Sequence, residues 1–224
     1  MLIKDWMAKD VLTIDENTSV MRATRIMKEK NVRRLPVLSH GKLIGMVTDR
    51  DLKDASPSKS TSLDIHEMYY LLSEMKVSEV MTPNPICMNE NETLEKAAVV
   101  MLMNKISGMP IVDDSGHLSG LVSESDILQA FIDSTGIQDG TVLYAFDLPD
   151  APGSVTKVVD TLRQYPVRMH SILTSFEQAK EGIKRVAVRV SIAPERIEEL
   201  TKKLDEIYGL VYFAKDELSN LPHK

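Results

Sequence analysis

Gly45-Met46-Val47-Thr48-Asp49-Arg50-Asp51 and Gly120-Leu121-Val122-Ser123-Glu124-Ser125-Asp126 follow one pattern. Each runs glycine, two apolar residues, a hydroxyl residue, two variable positions and an aspartate. An apolar run follows each: Leu52 after the first, and Ile127, Leu128 and Phe131 after the second. Working outward, a constant displacement aligns Met7 with Met81, Glu16 with Glu90, Asn17 with Asn91, Ala23 with Ala97, Met27 with Met101 and Pro36 with Pro110. One residue inserted in the second turn then brings Gly41 to Gly116, Leu43 to Leu118, Gly45 to Gly120, Val47 to Val122 and Asp51 to Asp126. The matches fall on turns, glycines and apolar positions, where a shared backbone constrains the chain. The sequence contains an internal duplication.

Each repeat reads β-α-β-β-α. In the first, Val11–Ile14 is a short strand, Thr18 or Ser19 caps a helix, and Val20, Ala23, Ile26 and Met27 recur at helical spacing. Leu35–Leu38 and Leu43–Val47 are strands joined by the turn Ser39-His40-Gly41-Lys42. Thr48 opens the second helix. In the second repeat, Ala98, Val99, Leu102 and Met103 replace Thr24, Arg25, Lys28 and Glu29 of the first. With Leu94, Ala97, Val100 and Met101 they make that helix apolar nearly all round, so it should be buried on every side, by the sister repeat or by a second chain.

The duplication assigns residues 1–55 to the first repeat and 77–132 to the second. Between them, residues 56–76 hold the polar linker Ser56–Ser62 and a helix over Leu63–Met75, with Ile65, Met68, Tyr69, Leu72 and Met75 at helical spacing. Residues 133–140 form a second linker, and 141–218 a further domain. There, Val142–Leu148 is a strand, and Val155, Val158, Val159 and Leu162 mark a helix. Val167–Phe176 and Ile183–Ile192 form a hairpin around Lys180-Glu181-Gly182. Pro194 sits in the first turn of a helix carrying Ile197, Leu200, Leu204 and Ile207, and Leu210–Ala214 is a last strand. The order β-α-β-β-α-β is that of a ferredoxin-like unit. The fold class is mixed α/β and α+β.

Composition excludes several classes. A net charge of −6 over 224 residues argues against nucleic-acid binding, which needs a basic face. One cysteine, Cys87, cannot form an internal disulfide or a multi-cysteine metal site. No apolar stretch approaches the length of a membrane span, and no apolar signal region precedes the patterned sequence, so a cytoplasmic protein is expected. The five histidines show no metal-ligand spacing, and Cys87 has no sequence-evident base, so no catalytic residue, metal or required cofactor is assigned.

Thr48-x-x-Asp51 and Ser123-x-x-Asp126 have two readings. As capping boxes, the hydroxyl accepts a backbone N–H and the carboxylate reaches back. As ligand sites, the carboxylate accepts from both hydroxyls of a ribose, and the upstream glycine lets the ligand approach the backbone. Both can hold, the acid capping the helix in the empty protein and turning to the sugar in the occupied one.

The pattern resembles the adenosine-binding signature of CBS domains, which pair in tandem as a pseudo-symmetric disc. The resemblance spans about Lys4 to Ile132 and implies a nucleoside cleft between the repeats. It places Thr48, Asp51, Ser123 and Asp126 at the ribose, and backbone and apolar groups near Thr13 and Ile14, or Cys87 and Met88, at the adenine. Arg33 and Arg34 match positions where nucleotide-binding members hold phosphate. The second repeat has Ser107-Gly108 there, and Ser125 in place of Arg50, so the two sites are not equivalent. A phosphorylated ligand should favour whichever site reaches Arg33, Arg34 or Arg50. From about Thr141 to Asp216 the chain resembles an ACT domain, a regulatory unit that binds amino acids across a dimer interface, with Asp150 and Gly153 at the ligand loop. Arg168 stands where amino-acid binders carry asparagine, which favours dimerisation over ligand binding. The whole arrangement resembles the acetoin-utilisation AcuB group.

These resemblances imply a non-enzymatic regulator: a homodimer that senses an AMP-, ADP- or ATP-type ligand and signals to the ACT unit or to a protein partner, in carbon metabolism. The alternatives are a small-molecule enzyme of unassigned chemistry and a ligand-free dimerisation scaffold.

Overall fold

The structure, a computed structural model, describes residues 1–56, 64–176 and 180–221. Its chain divides into an N-terminal module, Met1–Leu128, and a C-terminal module, Gln129–Lys224. In the first repeat, β1 (Ile14–Asp15) leads to α1 (Val20–Lys30), then β2 (Arg34–Ser39), β3 (Lys42–Thr48) and α2 (Asp49–Asp54). Ser19, not Thr18, caps α1: its hydroxyl accepts the Arg22 N–H at 3.3 Å. Val20, Ala23 and Met27 face inward to meet Leu35, Val37, Val47 and Leu52. The expected strand Val11–Ile14 is shorter and shifted, with only Ile14 and Asp15 pairing to Val37 and Leu38. Val11 instead turns back so that its N–H reaches the Lys9 carbonyl at 3.0 Å.

Next come α3 (Ile65–Glu74), β4 (Thr82–Pro83) and β5 (Met88–Asn89), then α4 (Leu94–Asn104), β6 (Gly108–Val112), β7 (Leu118–Ser123) and α5 (Glu124–Thr135). Asp64 caps α3, accepting the N–H groups of His66 and Glu67, while Leu72 and Met75 pack on the first-repeat core. The linker residues 57–63 lie outside the described residues.

The repeats exchange their lead-in segments. The segment before the first repeat bonds to the second: Ile3 N–H to the Glu92 carbonyl, Lys4 N–H to that of Glu90, and Ala8 and Leu121 to each other in both directions. The segment before the second repeat bonds to the first. Val77 N–H reaches Thr18, Val20 N–H reaches Met75, and β4 adds an edge to β3 at Gly45 and Met46. The sheets are therefore β1-β2-β3-β4 and β5-β6-β7. The duplication is interlocked, not merely adjacent.

Of the two covers expected for α4, the sister repeat is ruled out. Leu94, Ala97 and Met101 are buried, but Val99, Leu102 and Met103 are 53%, 77% and 78% exposed. The sister repeat does not cover that face.

The C-terminal module has β8 (Val142–Pro149), α6 (Ser154–Leu162), β9 (Arg168–Ser175), β10 (Ile183–Ser191), α7 (Ile197–Tyr208) and β11 (Leu210–Lys215). All pairings are antiparallel, in the order β11-β8-β10-β9. Alternation along β8 buries Val142, Tyr144, Phe146 and Leu148 on one face, against Val158 and Leu162 of α6 and Leu200 and Leu204 of α7. On β10, Arg189 is buried and pairs with Asp216, also donating to the Thr141 hydroxyl at 3.2 Å.

Candidate functional site

The first motif forms a complete capping box, and the second its carboxylate half. The Asp51 carboxylate accepts the Thr48 backbone N–H and the Thr48 hydroxyl at 2.7 Å each, and the Asp51 N–H returns to that hydroxyl at 3.3 Å. Asp126 accepts the Ser123 N–H and hydroxyl, again at 2.7 Å each. In both repeats the two bonds converge on Oδ2. Oδ1 accepts no hydrogen bond among the described residues, so each carboxylate keeps an oxygen for another donor.

Asp126 and Ser123 border a cleft of about 600 Å³, a size suited to a small molecule. One wall is second-repeat Ser107, Leu121 and Ser123 to Asp126. The other comes from the first repeat and its lead-in: Ala8, Asp10, Val11, Leu12 and Asn31 to Arg34. Arg33 and Arg34 thus border a cleft whose other wall is the opposite repeat. The Arg34 guanidinium donates to the Ser107 hydroxyl at 2.8 Å. Burial pushes its pKa down, while the nearby Glu124, Asp126 and Asp49 carboxylates act to raise it. Arg33 also borders a groove of about 240 Å³ with Asp49 and Lys53. There the Lys53 ammonium, 2.9 Å away, holds the Asp49 carboxyl below its usual range.

The remaining candidates are dispersed. Ile14 and Met88 are buried core side chains, and Thr13 is exposed. Cys87 is half-buried with its thiol toward the Pro85 carbonyl at 3.2 Å, and burial pushes that thiol's pKa up. Arg50 is exposed. In the C-terminal module, Gly153 has φ of 82° at the start of α6, and Asp150 pairs with Lys184 at 3.3 Å.

The upstream glycines have a packing reason of their own. A Cβ on Gly45 would lie 2.1 Å from Met81 Sδ, and one on Gly120 would lie 2.3 Å from Met7 Sδ. The exchanged lead-ins need that space. Sequence reasoning also missed Ser107 and Gly108 as partners of Arg34. The available signal was size: the repeat displacement aligns Arg34 with Gly108, the longest cation against no side chain at all.

The CBS-domain family model matches residues 3–58 and 77–133. A CBS domain-containing protein of Dictyostelium discoideum is 33% identical over 132 residues, covering 58% of this chain and 91% of that protein. The L-aspartate semialdehyde sulfurtransferase of Methanocaldococcus jannaschii is 32% identical over 131 residues, covering 58% of this chain but 23% of the longer enzyme. Among solved structures, the CBS-pair protein CBSX2 of Arabidopsis thaliana is 28% identical with a TM-score of 0.50, covering 61% of this chain and 98% of that one. CBSX2 has also been solved in complex with AMP. Two family matches, the duplicated motif and the interlocked repeats agree: the chain belongs to the CBS-domain family, as a tandem pair.

Proposed function

We propose that the chain is a non-enzymatic sensor of an adenosine nucleotide, bound in the cleft bordered by Asp126. The carrying observation is that this cleft brings Ser123 and Asp126 of one repeat together with Arg33 and Arg34 of the other. Asp126 Oδ1 accepts a ribose hydroxyl, with Oδ2 released from its cap to take the second. The arginines meet the phosphate, and the Val11–Leu12 segment flanks the base. The AMP complex of CBSX2 supports this ligand class. A bound ligand biases the regulatory state only through its differential affinity for the two conformations.

The exposed Val99, Leu102 and Met103 support a homodimer through α4. In the C-terminal module, the β-α-β-β-α-β order and the tight turn at Gly153 support an ACT-like regulatory unit that pairs with a second copy or a protein partner.

Thermal unfolding with AMP, ADP, ATP, S-adenosylmethionine, NAD and several amino acids tests the reading. Ligand at 100 times its Kd adds about 2.7 kcal/mol, a rise of roughly 5–10 °C for a chain of this size. No rise with any adenosine compound contradicts the sensor, and turnover of one of them points to an enzyme.

A further inference from the structure

Gly108 begins β6, and its backbone does not take a positive φ, so no turn demands a glycine there. What occupies the space of its missing side chain is Arg34. A Cβ on Gly108 would lie 2.1 Å from Arg34 Nη1 and 2.6 Å from Cζ, with the Val122 carbonyl oxygen at 3.0 Å. The neighbouring Ser107 hydroxyl accepts from Nη2 of the same guanidinium at 2.8 Å. The second repeat therefore supplies a seat for a cation that the first repeat carries, and Arg34 rests there on the wall of the cleft shared with Glu124 and Asp126.

We infer that Ser107 and Gly108 are positioning residues that aim Arg34 into the Asp126 cleft and so select phosphorylated over unphosphorylated adenosine ligands there. The inference rests on the nucleotide reading above and deepens it. Asp126 recognises a ribose that AMP and adenosine share, so it cannot discriminate between them. The phosphate can be read only by a cation held at the correct place. A guanidinium on a long, unseated side chain loses rotamer freedom on meeting the ligand; one already lying on Gly108 and bonded to Ser107 has lost much of it beforehand. The seat also separates the repeats chemically: at the corresponding first-repeat positions, Arg33 and Arg34 leave no such space.

The inference is tested by titrating AMP and adenosine into the parent, Gly108→Ala, Arg34→Ala and Ser107→Thr proteins by calorimetry. A methyl at 108 meets mainly the mobile end of Arg34, so the variant should keep its fold, and unaltered adenosine binding reports that it does. The parent should prefer AMP by on the order of tenfold, the scale of one charge-assisted contact. Gly108→Ala should collapse that preference while binding adenosine as the parent does, and Arg34→Ala, which removes the cation itself, should weaken AMP binding at least as much. Ser107→Thr, which keeps the hydroxyl, should retain the preference. An unchanged AMP preference in Gly108→Ala overturns the inference while leaving the nucleotide reading intact. So does a parallel loss of both ligands, which would mean that Gly108 shapes the whole cleft. A parent that binds neither compound overturns the nucleotide reading and the inference together.

Discussion

Met7 Sδ lies 2.3 Å from the point a Cβ on Gly120 would occupy, although the two residues belong to different repeats. Met81 faces Gly45 in the same way. The glycine opening each motif is thus a packing device that admits the other lead-in. Gly120→Ala should destabilise the N-terminal module by about 1–3 kcal/mol through overpacking. Adding Met7→Ala should offset part of that loss, making the pair non-additive in urea denaturation. Strict additivity would contradict the contact.

The carboxylates of the two motifs predict a second effect. Asp51→Ala and Asp126→Ala each remove a carboxylate that holds a helix start. Each should cost about 1 kcal/mol of stability with no ligand present. Chemical denaturation of the two variants, without nucleotide, checks this. A ligand role adds to the capping role and does not replace it.

These caps mark what was legible in the sequence. Thr48 and Asp51 are three residues apart on one local turn, so spacing alone foretold their contact. The repeat displacement likewise exposed the duplicated β-α-β-β-α order, because the glycines and apolar positions recur. The Arg34–Ser107 bond was not legible, since it joins residues far apart in the chain across the junction of the repeats. The exchanged lead-ins were hidden for the same reason: a repeat alignment shows which residues correspond, not which repeat each segment packs on. Arg189 also escaped notice, a cation in an alternating strand whose carboxylate partner lies beyond the last strand.

The exposed face of α4 predicts an assembly. Leu102→Glu replaces a side chain that is 77% exposed in the single chain, so it should change monomer stability little, within about 0.5 kcal/mol. Sedimentation should show the parent as a dimer and the variant shifted to monomer. A variant that remains dimeric at micromolar concentration contradicts pairing through α4.

Asp216→Ala would strand the buried Arg189 guanidinium, whose remaining polar contact among the described residues is with Thr141. Breaking one partner of a buried pair costs about 3–5 kcal/mol. The C-terminal module should lose that stability, measurable as a lower unfolding midpoint for its strands in hydrogen exchange. A loss below about 1 kcal/mol, the usual worth of an exposed pair, would mean that water reaches the guanidinium.

The most direct test of the nucleotide reading is calorimetric titration of AMP into the parent and Asp126→Ala proteins. Two ribose hydroxyls donating to one carboxylate are worth about 1.5–3 kcal/mol each, so the variant should bind at least about a hundredfold more weakly. An Asp126→Ala protein that binds AMP as tightly as the parent would contradict the assignment of this cleft.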